Sequence, residues 1–283
     1  MSFDDQIIKD LIDTLSFKGR FSHYQELPPC VLKRLVDFDS NINYQPAQLP
    51  LDSSRYSWII SNLNMKNLNV IDLGANLGYF SVRLASESNA NVYAYETLYE
   101  YAKSIGVFSK VCGLSNNLKV IQESINLENI NELQIVDATL HLNVLHHAGI
   151  FFDQEKVTNV DDWYSYAVEH LRSFRAKSEI MVIQIGNMWN DKVLFDSQYS
   201  VDYICELLNQ SNWDVDKIGL INDFNDFSYK TYSFSDIGLI PRIGIWRNPA
   251  TGLVEYKENN VTIAELSSGN AQRPIFLCKR QRD

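Results

Sequence analysis

One stretch constrains this chain more than any other: Val70-Ile71-Asp72-Leu73-Gly74-Ala75-Asn76-Leu77-Gly78-Tyr79-Phe80-Ser81. It reads as a buried strand, a tight turn bounded by two glycines, and the start of a helix. Gly74 and Gly78 allow a sharp bend and the close approach of a ligand. The helix start behind them offers backbone N–H groups suited to a carboxylate or another polar ligand group. Asp72, at the strand end, is placed to receive an ammonium group or to pin the turn. About twenty residues on, Glu96 follows the apolar run Val92 to Tyr95, where a carboxylate can accept hydrogen bonds from two ribose hydroxyls. A dinucleotide fingerprint is absent, because Asn76 and Tyr79 occupy its second and third glycine positions. A Walker A loop is absent too, since no Gly-Lys-Ser/Thr follows.

The surrounding sequence alternates strands with helices. Strands are expected over Asn69–Leu73, Asn91–Tyr95, Leu118–Gln122, Ile135–Leu142, Ile180–Ile185, Val215–Leu220 and Pro274–Lys279. Helices are expected over Ser53–Leu63, Gly78–Ser86, Leu98–Val111, Trp163–Phe174 and Val201–Asn209. This alternation predicts an α/β fold with a doubly wound, mostly parallel, seven-stranded sheet covered on both faces. Residues 1–52 read as an N-terminal helical cap or arm, with helices over Asp4–Phe17 and Cys30–Phe38. Residues 53–283 form the main domain. An aromatic-rich, β-rich insertion at about 222–270 precedes the last strand, with a hairpin over Arg242–Tyr256 around Asn248-Pro249-Ala250-Thr251-Gly252.

Composition narrows the function classes. At 283 residues, with 45% hydrophobic and 12% aromatic content, the chain can bury a core. Thirty-five acidic against 25 basic residues give a formal charge of −10, with no lysine or arginine block. This disfavours nucleic acid, whose binding needs a dense basic face. Cys30, Cys112, Cys205 and Cys278 are far apart in sequence and are expected to be reduced and mostly buried. No metal site is expected, since paired ligand spacings are missing. The start of the chain lacks a signal-peptide pattern, and no run of eighteen apolar residues occurs. A soluble, cytoplasmic protein without a membrane span is expected, with a homodimer as one option for its oligomeric state.

The segment Asp72-Leu73-Gly74-Ala75-Asn76-Leu77-Gly78 resembles the first motif of class I S-adenosylmethionine-dependent methyltransferases, roughly acid, x, glycine, x, x, x, glycine. Glu96 is similar to the acid that ends that family's second strand. The resemblance covers about Val70 to Gln184. It implies S-adenosyl-L-methionine as cofactor, with Asp72, Gly74, Ala75, Asn76 and Gly78 along its methionine part and Glu96 on its ribose. Glu123 or Ser124 would contact the adenine, although the Gly-Asp pair common there is absent. Asn143 would lie beside the sulfonium.

Asn143-Val144-Leu145-His146-His147 is similar to the form this region takes in the small-molecule, sugar and tRNA-wobble-uridine branches of that family. The Asn/Asp-Pro-Pro-Tyr/Phe signature of amino-methyltransferases is absent. In-line displacement at an activated methyl group needs mainly positioning, which supplies about 7–11 kcal/mol. An alcohol acceptor also needs a base, and a histidine gains roughly 10²–10⁴-fold. His146 and His147 are the candidates, with His141 third; either of the first pair is equally suited to capping the next helix or filling the core. Asn187, Trp189, Asn190 and Asp191 follow the fifth strand, and the aromatic insertion is placed to roof an acceptor or to form a satellite core.

The leading expectation is O-methylation of a small polar acceptor such as a sugar, a nucleotide sugar or a polysaccharide end. The alternatives are a tRNA-modifying transferase and a non-catalytic cofactor-binding scaffold. A clustered face of Lys33, Arg34, Arg55, Lys279, Arg280 and Arg282 would favour the tRNA reading. A metal-dependent catechol-type enzyme is weaker, because no carboxylate cluster can be assembled.

Overall fold

The computed structural model describes residues 9–11, 25–38, 50–267 and 269–282. Of the helix expected over Asp4–Phe17, only residues 9–11 are described, and they are helical. The described chain forms two compact units, Met1–Ser124 with Val136–Thr139, and Ile125–Ile135 with Leu140–Asp283.

In the first unit, helices α1 (Pro29–Phe38) and α2 (Leu51–Asn62) precede strand β1 (Asn69–Leu73), helix α3 (Tyr79–Glu87), strand β2 (Asn91–Tyr95), helix α4 (Tyr99–Val111) and strand β3 (Leu118–Ile121). In β1 the exposed Asn69 is followed by four buried residues, as expected of a strand covered on both faces. Strands β1 and β2 are parallel and in register from Asn69↔Asn91 to Leu73↔Tyr95. That register brings the next residues of the two strands, Gly74 and Glu96, to the same edge. Gly78 adopts φ +82°, and a Cβ there would stand 2.9 Å from Ile105 Cγ1 of α4. Glycine is therefore required both for the turn and for the packing of α3 on α4.

Strand β4 (Val136–Leu142) begins in the first unit and ends in the second. The second unit continues with helix α5 (Val160–Ser173), strand β5 (Ser178–Gln184), the two-residue strands β6 (Met188–Trp189) and β7 (Lys192–Val193), helix α6 (Ser200–Gln210), and strands β8 (Trp213–Ile221) and β9 (Tyr229–Ser233). Strands β10 (Ile243–Arg247), β11 (Val254–Glu258), β12 (Val261–Leu266) and β13 (Ile275–Arg280) complete it. Helix α5 starts three residues before the expected Trp163. The reason is Asn159, whose side chain accepts from Asp161 N and Asp162 N and caps the helix. Trp163 and Trp213 are buried, and their indole N–H groups donate to Leu145 O at 3.2 Å and Leu171 O at 2.9 Å.

The large, mostly parallel sheet has the strand order β3-β2-β1-β4-β5-β13-β8-β9. The doubly wound α/β expectation holds, with eight strands in place of seven. The additional strand is β9, antiparallel to β8 at the edge. Its exposed Lys230 and Thr231 give it no apolar run to read. The expected hairpin forms from β10 and β11, with Gly252 N donating to Asn248 O at 2.8 Å, and β12 extends it to three strands. Among the described residues no helix is long and apolar enough to cross a membrane.

Candidate functional site: a glycine turn and a histidine cluster

In the first unit, Glu96 is the hub. Its Oε2 accepts from Asn76 N and its Oε1 from Leu98 N, both at 2.8 Å. Each oxygen retains a lone pair, so the carboxylate is oriented yet still able to accept from hydroxyl groups. Burial raises its pKa, and the backbone donors oppose that. Asp72 is buried, and its Oδ2 accepts from Ser81 Oγ at 2.5 Å. The contact ties the end of β1 to the first turn of α3. Desolvation, with Glu96 nearby as a smaller cause, pushes Asp72 up to about 7.

Gly74, Asn76 and Gly78 all have positive φ, +59°, +53° and +82°. Ala75 N donates to Tyr95 O at 3.0 Å, Gly78 N to Ala75 O at 2.8 Å, and Leu77 N to Asn76 Oδ1 at 2.8 Å. Tyr79 N meets Gln25 Oε1 at 3.4 Å. The N–H groups of Ala75, Asn76, Leu77, Gly78 and Tyr79 therefore already have partners, the longest contact being that to Gln25. Gln25, a buried residue of the N-terminal segment, carries no sequence signal for this place. Glu96 thus presents acceptor oxygens of the kind a pair of ribose hydroxyls would need, beside a turn whose two glycines carry no side chain. Glu123 is exposed and Ser124 half-buried after β3, and Glu123 N donates to Ile121 O at 3.1 Å.

In the second unit, the end of β4 carries Asn143 at φ +60°. Its Nδ2 donates to Gln184 Oε1 and its Oδ1 accepts from Arg273 Nη1, each at 2.8 Å. Gln184 Nε2 in turn donates to Arg273 O at 2.8 Å. The three residues lock together the ends of β4 and β5 and the approach to β13. Gln184 and Arg273 escaped the sequence reading, because they meet Asn143 only through strand pairing.

His146 is buried, and its Nδ1 accepts from Gly186 N at 3.2 Å. That bond assigns the proton of the neutral ring to Nε2. His147 is half-buried, with its ring 4.1 Å from that of His146 and 4.9 Å from that of Phe151. Desolvation first, and Arg273 second, lower His147 to about 4. The same causes hold His146 well below the usual histidine range.

His141 lies elsewhere, fully buried with its Nε2 3.3 Å from His170 Nε2. Tyr166 Oη donates to Asp153 Oδ2 at 2.5 Å and lies 3.1 Å from His170 Nδ1. Since Tyr166 spends its proton on Asp153, His170 Nδ1 donates to Tyr166 and His141 Nε2 donates to His170. His141 Nδ1 is left as a buried acceptor without a partner. Burial lowers both histidines to about 3. Past β5, Trp189 is buried and donates from Nε1 to Ala148 O at 2.6 Å, while Asn190 and Asp191 form the left-handed turn between β6 and β7.

No protein-family model matches the chain, and no curated protein matches it. Solved structures do. A 2.2 Å crystal structure of WbdD matches with TM-score 0.52 at 13% identity, over 87% of this chain and 52% of that one. A co-crystal structure of WbdD with a kinase inhibitor matches with TM-score 0.51 at 16% identity, over 96% and 48%. The chain thus spans about half the length of each WbdD structure. Magnesium protoporphyrin IX methyltransferase from Synechocystis PCC 6803 matches with TM-score 0.45 at 12% identity, over 99% of both chains. Strand order, glycine turn and the two WbdD matches agree: this chain has the doubly wound, Rossmann-like α/β fold of the class I S-adenosylmethionine-dependent methyltransferases.

Proposed function

We propose that this protein is an S-adenosylmethionine-dependent methyltransferase that O-methylates a small polar acceptor of the carbohydrate type. The observation that carries the reading is Glu96, held by Asn76 N and Leu98 N with acceptor capacity left over beside the Gly74–Gly78 turn. Asp72 pins that turn through Ser81. Residues 1–52 act as a cap in this reading, with Gln25 on the backbone of Tyr79. Once bound, the cofactor would supply a methyl group already activated as a sulfonium, leaving the protein to bind, orient and deprotonate.

Among the candidate bases, half-buried His147 is favoured. It is neutral at physiological pH and can take a hydroxyl proton. His146 has its Nδ1 engaged by Gly186, and His141 is sealed against His170, so both serve as supports. A tRNA substrate is disfavoured because four of the six basic residues that would bind it are paired with acids. Lys33 pairs with Asp37, Arg55 with Asp52, Lys279 with Asp216 and Arg280 with Glu179. WbdD, described as a bifunctional kinase-methyltransferase, supplies the fold and leaves the acceptor open.

The test has two stages. Calorimetry with S-adenosylhomocysteine should give a heat of association that Glu96→Ala abolishes. Transfer from methyl-labelled cofactor into pools of sugars and nucleotide sugars should then label the acceptor. Label entering only RNA refutes the acceptor class; no heat at all refutes the cofactor.

A further inference from the structure

We propose that Cys30 and Cys112 form a redox-active dithiol, a modification site at which a low-molecular-weight disulfide oxidises the pair and fastens helix α1 to the end of α4.

The sequence separates these cysteines by 82 positions and gives no sign of pairing. In the fold Cys30 lies at the start of α1 and Cys112 caps α4. Cys112 Sγ donates to Cys30 Sγ at 2.8 Å. Both belong to the first unit, both are reduced, and both are half-buried rather than sealed. A disulfide needs about 2.05 Å between sulfurs. The remaining gap is less than an ångström, within reach of small side-chain rotations.

The two thiols are also chemically unequal. The hydrogen bond from Cys112 lowers Cys30 to about 7, helped by Ser86 and opposed by burial. That same bond holds the proton on Cys112 and raises its pKa. Cys30 is thus the attacking thiolate and Cys112 the resolving thiol. Cys205 and Cys278 are buried, and desolvation raises both, Cys205 to about 12. They are poor competitors for the same reagent.

With oxidised glutathione, the Cys30 thiolate attacks one sulfur of the reagent. The reagent's S–S bond breaks, and glutathione leaves as thiolate and takes up a proton. Cys112 then loses its proton, attacks the Cys30 sulfur of the mixed disulfide and displaces the second glutathione. Two protein thiols are oxidised while one glutathione disulfide is reduced to two thiols.

The segment that would be fastened already touches the turn region. Gln25 meets Tyr79 N, and Glu26 Oε1 accepts from Asp52 N at 3.0 Å and Ser53 N at 2.9 Å. A covalent link at Cys30 adds a fixed point just beyond them.

The full chain, incubated natively with oxidised glutathione and alkylated, is mapped by mass spectrometry without reduction. The expected result is one linked peptide joining Cys30 to Cys112, with two of the four thiols lost. Dithiothreitol should restore all four, and neither Cys30→Ser nor Cys112→Ser should form the link. The thermal midpoint of the oxidised wild type should exceed that of the reduced form. All four thiols persisting, separate stable glutathione adducts on the two cysteines, or links between chains would each overturn the proposal. The wild-type map decides the matter even if a variant folds poorly, and no part of it depends on cofactor or methyl transfer.

Discussion

Gly186 presses directly on His146: its amide donates to the ring Nδ1, and a Cβ at this glycine would stand 2.8 Å from Nε2 and 3.0 Å from Arg273 Cζ. The chain after β5 has to pass this close for the amide to reach the ring. Gly186→Ala should therefore displace both the imidazole and the guanidinium. Overpacking of this kind costs about 1–3 kcal/mol. Urea denaturation should show the loss, and methyl transfer should fall at least about tenfold, equivalent to about 1.4 kcal/mol in the barrier. An alanine variant as stable and as active as wild type would contradict the contact.

Glu96→Ala should act on fold and ligand together. It removes the acceptor for Asn76 N and Leu98 N. An N–H left without a partner costs about 1–3 kcal/mol. Calorimetric affinity for S-adenosylhomocysteine should drop beyond measurement. Glu96→Gln should fall between, because an amide keeps one acceptor and turns its NH2 toward a backbone donor.

Acid should destabilise the protein through its buried histidines. His141 and His170 titrate at about 3 in the folded chain, against about 6.5 when unfolded. Their folded pKa values lie below the unfolded ones, so the unfolded chain binds more protons between those limits. Stability is complete above about pH 6.5 and falls as the pH drops toward 3, by up to about 1.4 kcal/mol per pH unit for each histidine. His146 and His147 add in the same sense. Asp72 opposes them: its raised folded pKa of about 7 gives a contribution present below about pH 4 and lost as the pH climbs through 7. Urea denaturation from pH 4 to 7 should show a shallower slope for His141→Leu/His170→Leu than for wild type. An unchanged slope would mean that these rings already bind protons when folded.

Much of this architecture was legible because buried strands advertise themselves. Asn69–Leu73 and Asn91–Tyr95 are short apolar runs between polar punctuation, and the structure gives the same limits. The Gly74–Gly78 turn and Glu96 were legible because a parallel pairing in register must bring them to one edge. Three other features left no local trace. Strand β9 lies at the edge with polar residues outward, so it shows no hydrophobic run. The Asn143–Gln184–Arg273 lock joins positions 41 to 130 residues apart. The histidine pattern pointed to His141 as readily as to its neighbours, since sequence cannot show that His170 faces it from α5.

Arg273 should tune the proposed base. Its charge is the second cause, after desolvation, that depresses His147 to about 4. In Arg273→Met that cause disappears, so the histidine titrates at a higher pH. The acid limb of the kcat/KM profile should move upward, since only the neutral ring accepts a proton. If the limb stays in place while activity falls, Arg273 acts by holding Asn143 alone.

The double hold on Glu96 has one more implication. By accepting from Asn76 N and Leu98 N, this carboxylate ties together the chain that follows β1 and β2. If the proposed cofactor binds here, it would meet a pre-formed cradle and surrender little disorder in the protein to occupy it. Affinity of the proposed cofactor should consequently depend on the local fold, and be lost when that fold is lost.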